Sequence, residues 1–392
     1  MNQAGHYVLS TLGRFWAPQA ADALAAKGLQ VDLHMRDLKG SVHSSAVQIH
    51  RGGLVGIVDA LLLKATRNSG VERSIVERFD RTVASWLARV PSQRFHGLSL
   101  FCEKSLEAAR RTGVPTAVER SGAHIIEQLR LYEEERARLG LPLDNPKDFY
   151  HSAAGIDRMR REYEIADRIV VSSSFVRDSF LKAGFPSSRL DVVPLGANFT
   201  PAAWTPKPPA FSVLTAGNDA IRKGMVDVLD AFSLAGLDDA TLYFRSPAPP
   251  YLTDRLRALG ERVVLLPPME HRLLRRYFET ATVFCLLSIE DGFGMVVGEA
   301  MSLGCPVVVT KNVGASDMVT EGVDGFVVDI RRPEKVAERL VKLHDDPELL
   351  RSMSKAAVRK AAEFGWDRYA TELLETWMSG SSAGRKDHGA PR

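Results

Sequence analysis

Residues Thr200–Pro209 read TPAAWTPKPP, and after Ala210 the chain continues as FSVLTA, Phe211–Ala216. Four prolines without an apolar period make the first stretch a linker, and the apolar run behind it restarts an alternation already present upstream. On both sides, short runs rich in Val, Leu and Ile alternate with longer segments of helical period. That is the pattern of a parallel sheet covered on both faces, so the fold class is α/β with two doubly wound, Rossmann-like domains facing each other across a cleft. In the first half the expected strands are His6–Ser10, Leu29–His34, Gly97–Phe101, Pro115–Glu119, Arg168–Ser172 and Arg189–Pro194, with helices such as Ala17–Lys27 and Ile125–Leu139 between them. In the second half they are Phe211–Ala216, Thr241–Arg245, Arg262–Leu266, Thr282–Ile289, Pro306–Thr310 and Gly325–Val328. The implied domains are 1–205 and 206–366, with a helix at 367–378 returning to the first domain. The polar tail 379–392 is expected to be disordered.

The chain has 392 residues, 45% hydrophobic and 25% charged, enough to build two cores, which excludes wholesale disorder. A net charge of +3 is too small for a general polyanion trap, so nucleic acid is not an expected partner. Cys102, Cys285 and Cys305 are odd in number and set in apolar surroundings, reading as buried thiols in a reducing compartment rather than as disulfides or a zinc site. No secretory leader pattern opens the chain, and no apolar run reaches the ~18 residues of a membrane span. The expected location is the cytoplasm. The insert Arg51–Gln93 carries an apolar run, Leu54–Leu63, ahead of a segment studded with Arg67, Arg73, Arg78, Arg81, Arg89 and, just past its end, Arg94. It reads either as a solvated amphipathic face or as a peripheral membrane contact at the inner face.

Ligands of doubly wound sheets sit at the C-terminal ends of strands, so chemistry is sought in the loops that follow them. After the strand ending at Ile289 come Glu290, Asp291, Gly292, Phe293 and Gly294, then a helix. Glycines admit close backbone approach, and the free N–H groups of a helix start favour an anion such as a diphosphate. Asp291 and Glu299, eight positions apart, suit the hydroxyls of a nucleotide sugar. The same spacing also fits an ordinary strand-to-helix turn with Asp291 as a cap and Glu299 on a solvated face. After the strand ending at Ala216, Gly217, Asn218, Arg222 and Lys223 lead into another helix. The cationic pair reads as a diphosphate contact or as a solvated pair, and not as a P-loop, because Gly224 follows Lys223.

Together RKG at Arg222–Gly224, EDGFGMVVGEAMSLGCPVVVT at Glu290–Thr310, GASDMVTEGVDGFVV at Gly314–Val328, and REYEIADRIVVSSSFVRDSFLKAGF and LDVVPLGAN in the first half resemble the retaining glycosyltransferases of family 4, of GT-B fold. The resemblance implies that Lys223 binds the donor diphosphate with help from Arg222, and that Glu299 holds the ribose. It implies that Phe293, Gly294, Met295 and Val296 offer backbone N–H groups, and that Asp291 contacts the donor sugar. It casts His124 as a histidine reaching the sugar from the opposite domain, and makes Lys223, Asp291 and His124 the catalytic set. Departures from the family pattern are Asp291 for a glutamate, with Glu290 as a substitute, Asn218 for an arginine, which puts weight on Arg222, and Asn198 for an acid. A single glycine, Gly13, stands where a pair is common. Gly13, Arg14, Arg120 and Asn198 are acceptor-side candidates, and the base pocket falls near Pro267–Arg272. The implied reaction moves a sugar from a nucleotide-diphosphate donor to an acceptor hydroxyl with retention, in polysaccharide or glycolipid synthesis or on a small secondary metabolite. No Asp-x-Asp triplet or clustered His and Cys ligands occur, so no metal and no cofactor are expected. Competing readings are another enzyme on the same architecture, such as a sugar phosphorylase or nucleotide-sugar epimerase, and a non-catalytic nucleotide-sugar-binding partner subunit.

Overall fold

The computed structural model describes residues 5–380 apart from 14, 37–41, 54–55, 57, 60, 63–67, 143–147 and 200–202. Arg14, the ends Leu54 and Leu63 of the apolar run, Arg67, the start of the linker and the tail beyond 380 therefore lie outside the described residues. The first domain comprises β1 (His6–Thr11), α1 (Ala17–Ala26), β2 (Gln30–Met35), β3 (Val47–Arg51), α2 (Ser69–Leu87), β4 (Arg94–Leu98), α3 (Glu103–Arg111), β5 (Thr116–Arg120), α4 (Ile125–Arg138), α5 (Ala153–Ile165), β6 (Arg168–Val171), α6 (Ser174–Lys182) and β7 (Leu190–Val192). The second comprises β8 (Ser212–Ala216), α7 (Met225–Ala235), β9 (Thr241–Arg245), α8 (Thr253–Leu259), β10 (Val263–Leu265), α9 (His271–Thr280), β11 (Val283–Leu286), α10 (Met295–Ser302), β12 (Val307–Thr310), β13 (Gly325–Val328), α11 (Pro333–Asp345) and α12 (Pro347–Ala361). The helix α13 (Trp366–Gly380) closes the described chain.

Among the described residues two parallel sheets form, ordered β3-β2-β1-β4-β5-β6-β7 and β10-β9-β8-β11-β12-β13. In each, the order reverses beside the first strand, between β1 and β4 and between β8 and β11. These are the switch points where the loops at the strand ends part and leave a crevice. The central strands β8, β11 and β12 are buried along their whole length, as a sheet covered on both faces requires.

Two first-domain strands differ from expectation. β3 was not expected: VQIHR is a half-exposed edge strand with only Val47 buried, so it lacks a continuous apolar run. It also takes Arg51 from the start of the supposed insert. β4 lies at Arg94–Leu98, displaced from Gly97–Phe101, because its polar members are buried through bonding rather than hydrophobicity. Tyr7 Oη lies 2.9 Å from His96 Nδ1, and His96 Nε2 lies 3.1 Å from Glu119. Gly97 sits inside the strand because a Cβ there would fall 2.4 Å from that of Cys102.

The helix α13 packs along α1 and reaches the first sheet. Trp377 Nε1 donates to Tyr7 Oη at 3.2 Å, and Tyr369 Oη donates to Glu119 at 3.0 Å. The chain thus returns to its first domain after completing the second. All three cysteines are free and buried. No helix among the described residues is long and apolar enough to cross a membrane.

Candidate functional site

Lys223 follows β8 and Asp291 follows β11, neighbours across the second sheet's switch point, and their side chains form an ion pair over it. Gly217 makes the space: a Cβ there would fall 2.6 Å from Lys223 Cγ. Gly224, at φ +64°, turns the chain into α7, and a Cβ there would meet the Leu287 carbonyl oxygen at 1.9 Å. Both members of the pair are largely withdrawn from water, so they are not a solvated surface pair. Burial pushes the Asp291 carboxyl up, but the Lys223 and Arg222 charges and hydrogen bonds from Lys223 and the Phe293 N–H hold it below the usual carboxylate range.

Arg222 is tied inward. Its guanidinium donates to the Glu290 carbonyl at 3.2 Å and lies 3.5 Å from the Glu290 carboxylate and 3.9 Å from that of Asp291. Glu290 is turned toward the first domain. It accepts from the Ala123 N–H at 2.9 Å and from Gln128 Nε2 at 3.0 Å, both in the first domain. Arg120, expected on the acceptor side, is buried behind that contact, donating to Gln128 Oε1 at 2.6 Å and to the Ala123 carbonyl at 3.1 Å.

Gly292 is the tightest seam between the domains. Its carbonyl accepts from Ser172 Oγ at 2.8 Å and from Ser173 Oγ at 2.7 Å, and a Cβ on it would lie 1.8 Å from the Ser121 carbonyl oxygen. Gly294, at φ +79°, is the N-cap of α10, so the first-turn N–H groups of Met295 and Val296 are ones the helix cannot satisfy internally. Glu299, also in α10, is buried and accepts from Asn198 Nδ2 at 3.0 Å. Asn198 therefore belongs with this carboxylate rather than with an acceptor loop. In the first domain, Gly13 lies beneath Phe15, whose ring approaches that of Phe101 across the β1/β4 switch point at 6.4 Å. Phe15 is exposed at φ +38° and was passed over in the sequence. The side chains of His271 and Arg272, at the expected base pocket, are outside the described residues.

His124 is placed differently from its expected role. Its ring meets Tyr163, Phe180 and Phe185 of its own domain, at centroid distances of 5.5, 5.1 and 5.9 Å. It is a core histidine at the start of α4: burial, then the charges of Arg120 and Arg160, lower its pKa from 6.5 to about 4. Because the folded value is the depressed one, its contribution to stability is complete above pH 6.5 and is lost as the pH falls towards 4. Over that window the unfolding free energy should decline by up to roughly 1.4 kcal/mol per pH unit. His124→Gln should lack this arm in urea titrations taken across the same range, and an unchanged slope would remove the assignment.

Sequence reading gave no role to Gln128, to Ser172 and Ser173, which lie within the quoted REYEIADRIVVSSSF stretch, or to Arg245, which ends β9. Arg245 donates to Asn218 Oδ1 and, at 3.3 Å, to the Gly217 carbonyl. Residues 206–360 match the family model for glycosyl transferases group 1. The second domain is thus similar to the group 1 glycosyl transferases. The chain is 35% identical over 127 residues to a D-inositol 3-phosphate glycosyltransferase 1 of Catenulispora acidiphila, covering 32% of this chain and 30% of that one. To a D-inositol 3-phosphate glycosyltransferase of Paenarthrobacter aurescens it is 28% identical over 246 residues, covering 55% and 58%. The chain thus spans between about a third and three fifths of the length of these relatives. Among solved structures, sucrose-phosphate synthase from Thermosynechococcus elongatus superposes with TM-score 0.68 at 20% identity, covering 97% of this chain and all of that one. Anabaena HepE in complex with UDP and glucose superposes with TM-score 0.61 at 15% identity, covering 96% and 100%. The fold is GT-B, two Rossmann-like α/β domains.

Proposed function

We propose that the chain is a retaining glycosyltransferase that moves a sugar from a nucleoside-diphosphate donor to an acceptor hydroxyl without a bound metal or other cofactor. The observation that carries this reading is the buried Lys223–Asp291 pair at the β8/β11 switch point beside the open N–H groups of α10. A departing diphosphate meets a cation and fixed backbone dipoles there, and both stabilise charge that develops on the leaving oxygen. In same-face attack the bond from the anomeric carbon to the diphosphate oxygen breaks, the acceptor oxygen bonds to that carbon from the same side, and the diphosphate oxygen takes the acceptor proton. In this reading Asp291, held ionised by Lys223, accepts from donor-sugar hydroxyls, and Glu299 holds the ribose.

The activity of the similar glycosyltransferases puts D-inositol 3-phosphate first among acceptors to test. A growing surface polysaccharide or glycolipid is the acceptor class we favour. Exposed Val58 and Leu61 ahead of the arginine-bearing α2 support a peripheral contact of 51–93 with the inner face of the membrane, from a cytoplasmic location. The test is nucleoside diphosphate release from UDP-, GDP- and ADP-sugars, with and without D-inositol 3-phosphate or lipid-linked glycans, in EDTA. Release that requires acceptor, with one base preferred and no loss in EDTA, is expected. Release without acceptor points to other chemistry on the same fold, donor binding without turnover points to a non-catalytic partner, and activity abolished by EDTA removes metal independence.

A further inference from the structure

The cations of the donor loop are committed: Lys223 to Asp291, and Arg222 to Glu290 and Asp291. Arg245 differs from both. Among the described residues it pairs with no carboxylate, and its side-chain hydrogen bonds, both through one terminal nitrogen, go to neutral oxygens of Asn218 and Gly217. A guanidinium has five N–H donors in a rigid fork. Arg245 is thus oriented by neutral partners while keeping its charge and the donors on its other nitrogens. It flanks Gly217, the residue whose missing side chain makes room for the Lys223 stem. Beside it in the chain, the buried Ser246 hydroxyl has no hydrogen-bond partner among the described residues.

We propose that Arg245 contacts the phosphates of the donor, supplying from β9 the positive charge that Asn218 lacks, with Asn218 as its positioning residue. This rests on the donor reading above. The Asn218 side-chain oxygen holds the Arg245 guanidinium, from the end of β9, over the loop that follows β8.

The test is calorimetric titration of the full chain with uridine, guanosine and adenosine diphosphates and with the matching nucleosides. Arg245→Ala should weaken the preferred diphosphate about ten- to a hundredfold and leave the nucleoside unchanged. Arg245→Gln, which keeps a neutral hydrogen-bonding group, should show the same selective loss if the alanine variant folds poorly. Asn218→Ala should lose less, and Asn218→Arg added to Arg245→Ala should restore diphosphate affinity. Equal weakening of nucleoside and diphosphate, or diphosphate binding unchanged in both Arg245 variants, overturns the proposal while leaving the donor reading intact. A wild-type chain that binds none of the diphosphates overturns the donor reading, and this inference with it.

Discussion

Lys223→Ala is expected to lower the rate of sugar transfer by about 10²- to 10³-fold, the scale seen when one fixed partner of a developing negative charge is removed. The same change should destabilise the fold by about 3–5 kcal/mol, because it leaves the Asp291 carboxylate buried without its principal counter-charge. The two effects separate in a double variant. Adding Asp291→Asn takes away the stranded charge and should recover much of the urea midpoint, yet it restores no lysine for the diphosphate and should recover no rate. Stability also reports the pair through pH. Asp291 titrates below its ordinary value, so its contribution is complete above that value and is lost as the pH falls through the depressed folded one. Lys223→Ala should weaken that acid arm, since burial then pushes the carboxyl up against only the Arg222 charge and the Phe293 N–H. Initial rates together with urea midpoints across pH decide the matter, and a variant turning over at the wild-type rate would end the assignment of Lys223 to the leaving group.

What could be read from the sequence follows from how local each signal is. The strands β8, β11 and β12 are short, mostly apolar and fully buried because both faces of the sheet are covered, so they stand out without knowledge of their neighbours. The edge strand β3 and the polar start of β4 do not, since what buries His96 is Tyr7 and Glu119 on other strands. The functional loops behave likewise. Lys223 and Asp291 were legible as residues at strand ends, but their pairing depends on β8 and β11 being adjacent. The reach of Glu290 to Ala123 and Gln128 and the approach of Arg245 to Asn218 depend on elements far apart in the chain. His124 shows the converse dependence. Its place at a helix start after a strand suited a site, whereas the ring is enclosed by Tyr163, Phe180 and Phe185, contributed by later segments.

The seam at Gly292 yields the other large effect. A methyl group there would sit 1.8 Å from the Ser121 carbonyl oxygen and 2.8 Å from Gly122 Cα, which are backbone atoms that no rotamer change can move aside. Gly292→Ala must therefore shift the 290–294 loop or part the domains, and either movement displaces Asp291 and the start of α10 from the opposite domain. A displacement of about 1 Å in a reacting site can cost 10²-fold in rate, so at least that loss is expected. The necessary comparison is Ser172→Ala with Ser173→Ala. These remove the two O–H donors to the Gly292 carbonyl without adding an atom, and should cost about 1 kcal/mol each in stability. If the close approach itself matters, the glycine variant loses rate far beyond the serine pair and its radius of gyration in solution rises. If hydrogen bonding alone holds the seam, the serine pair matches it in both. A fully active Gly292→Ala enzyme would mean that the catalytic geometry does not require this contact, and that the domains work from a more open arrangement.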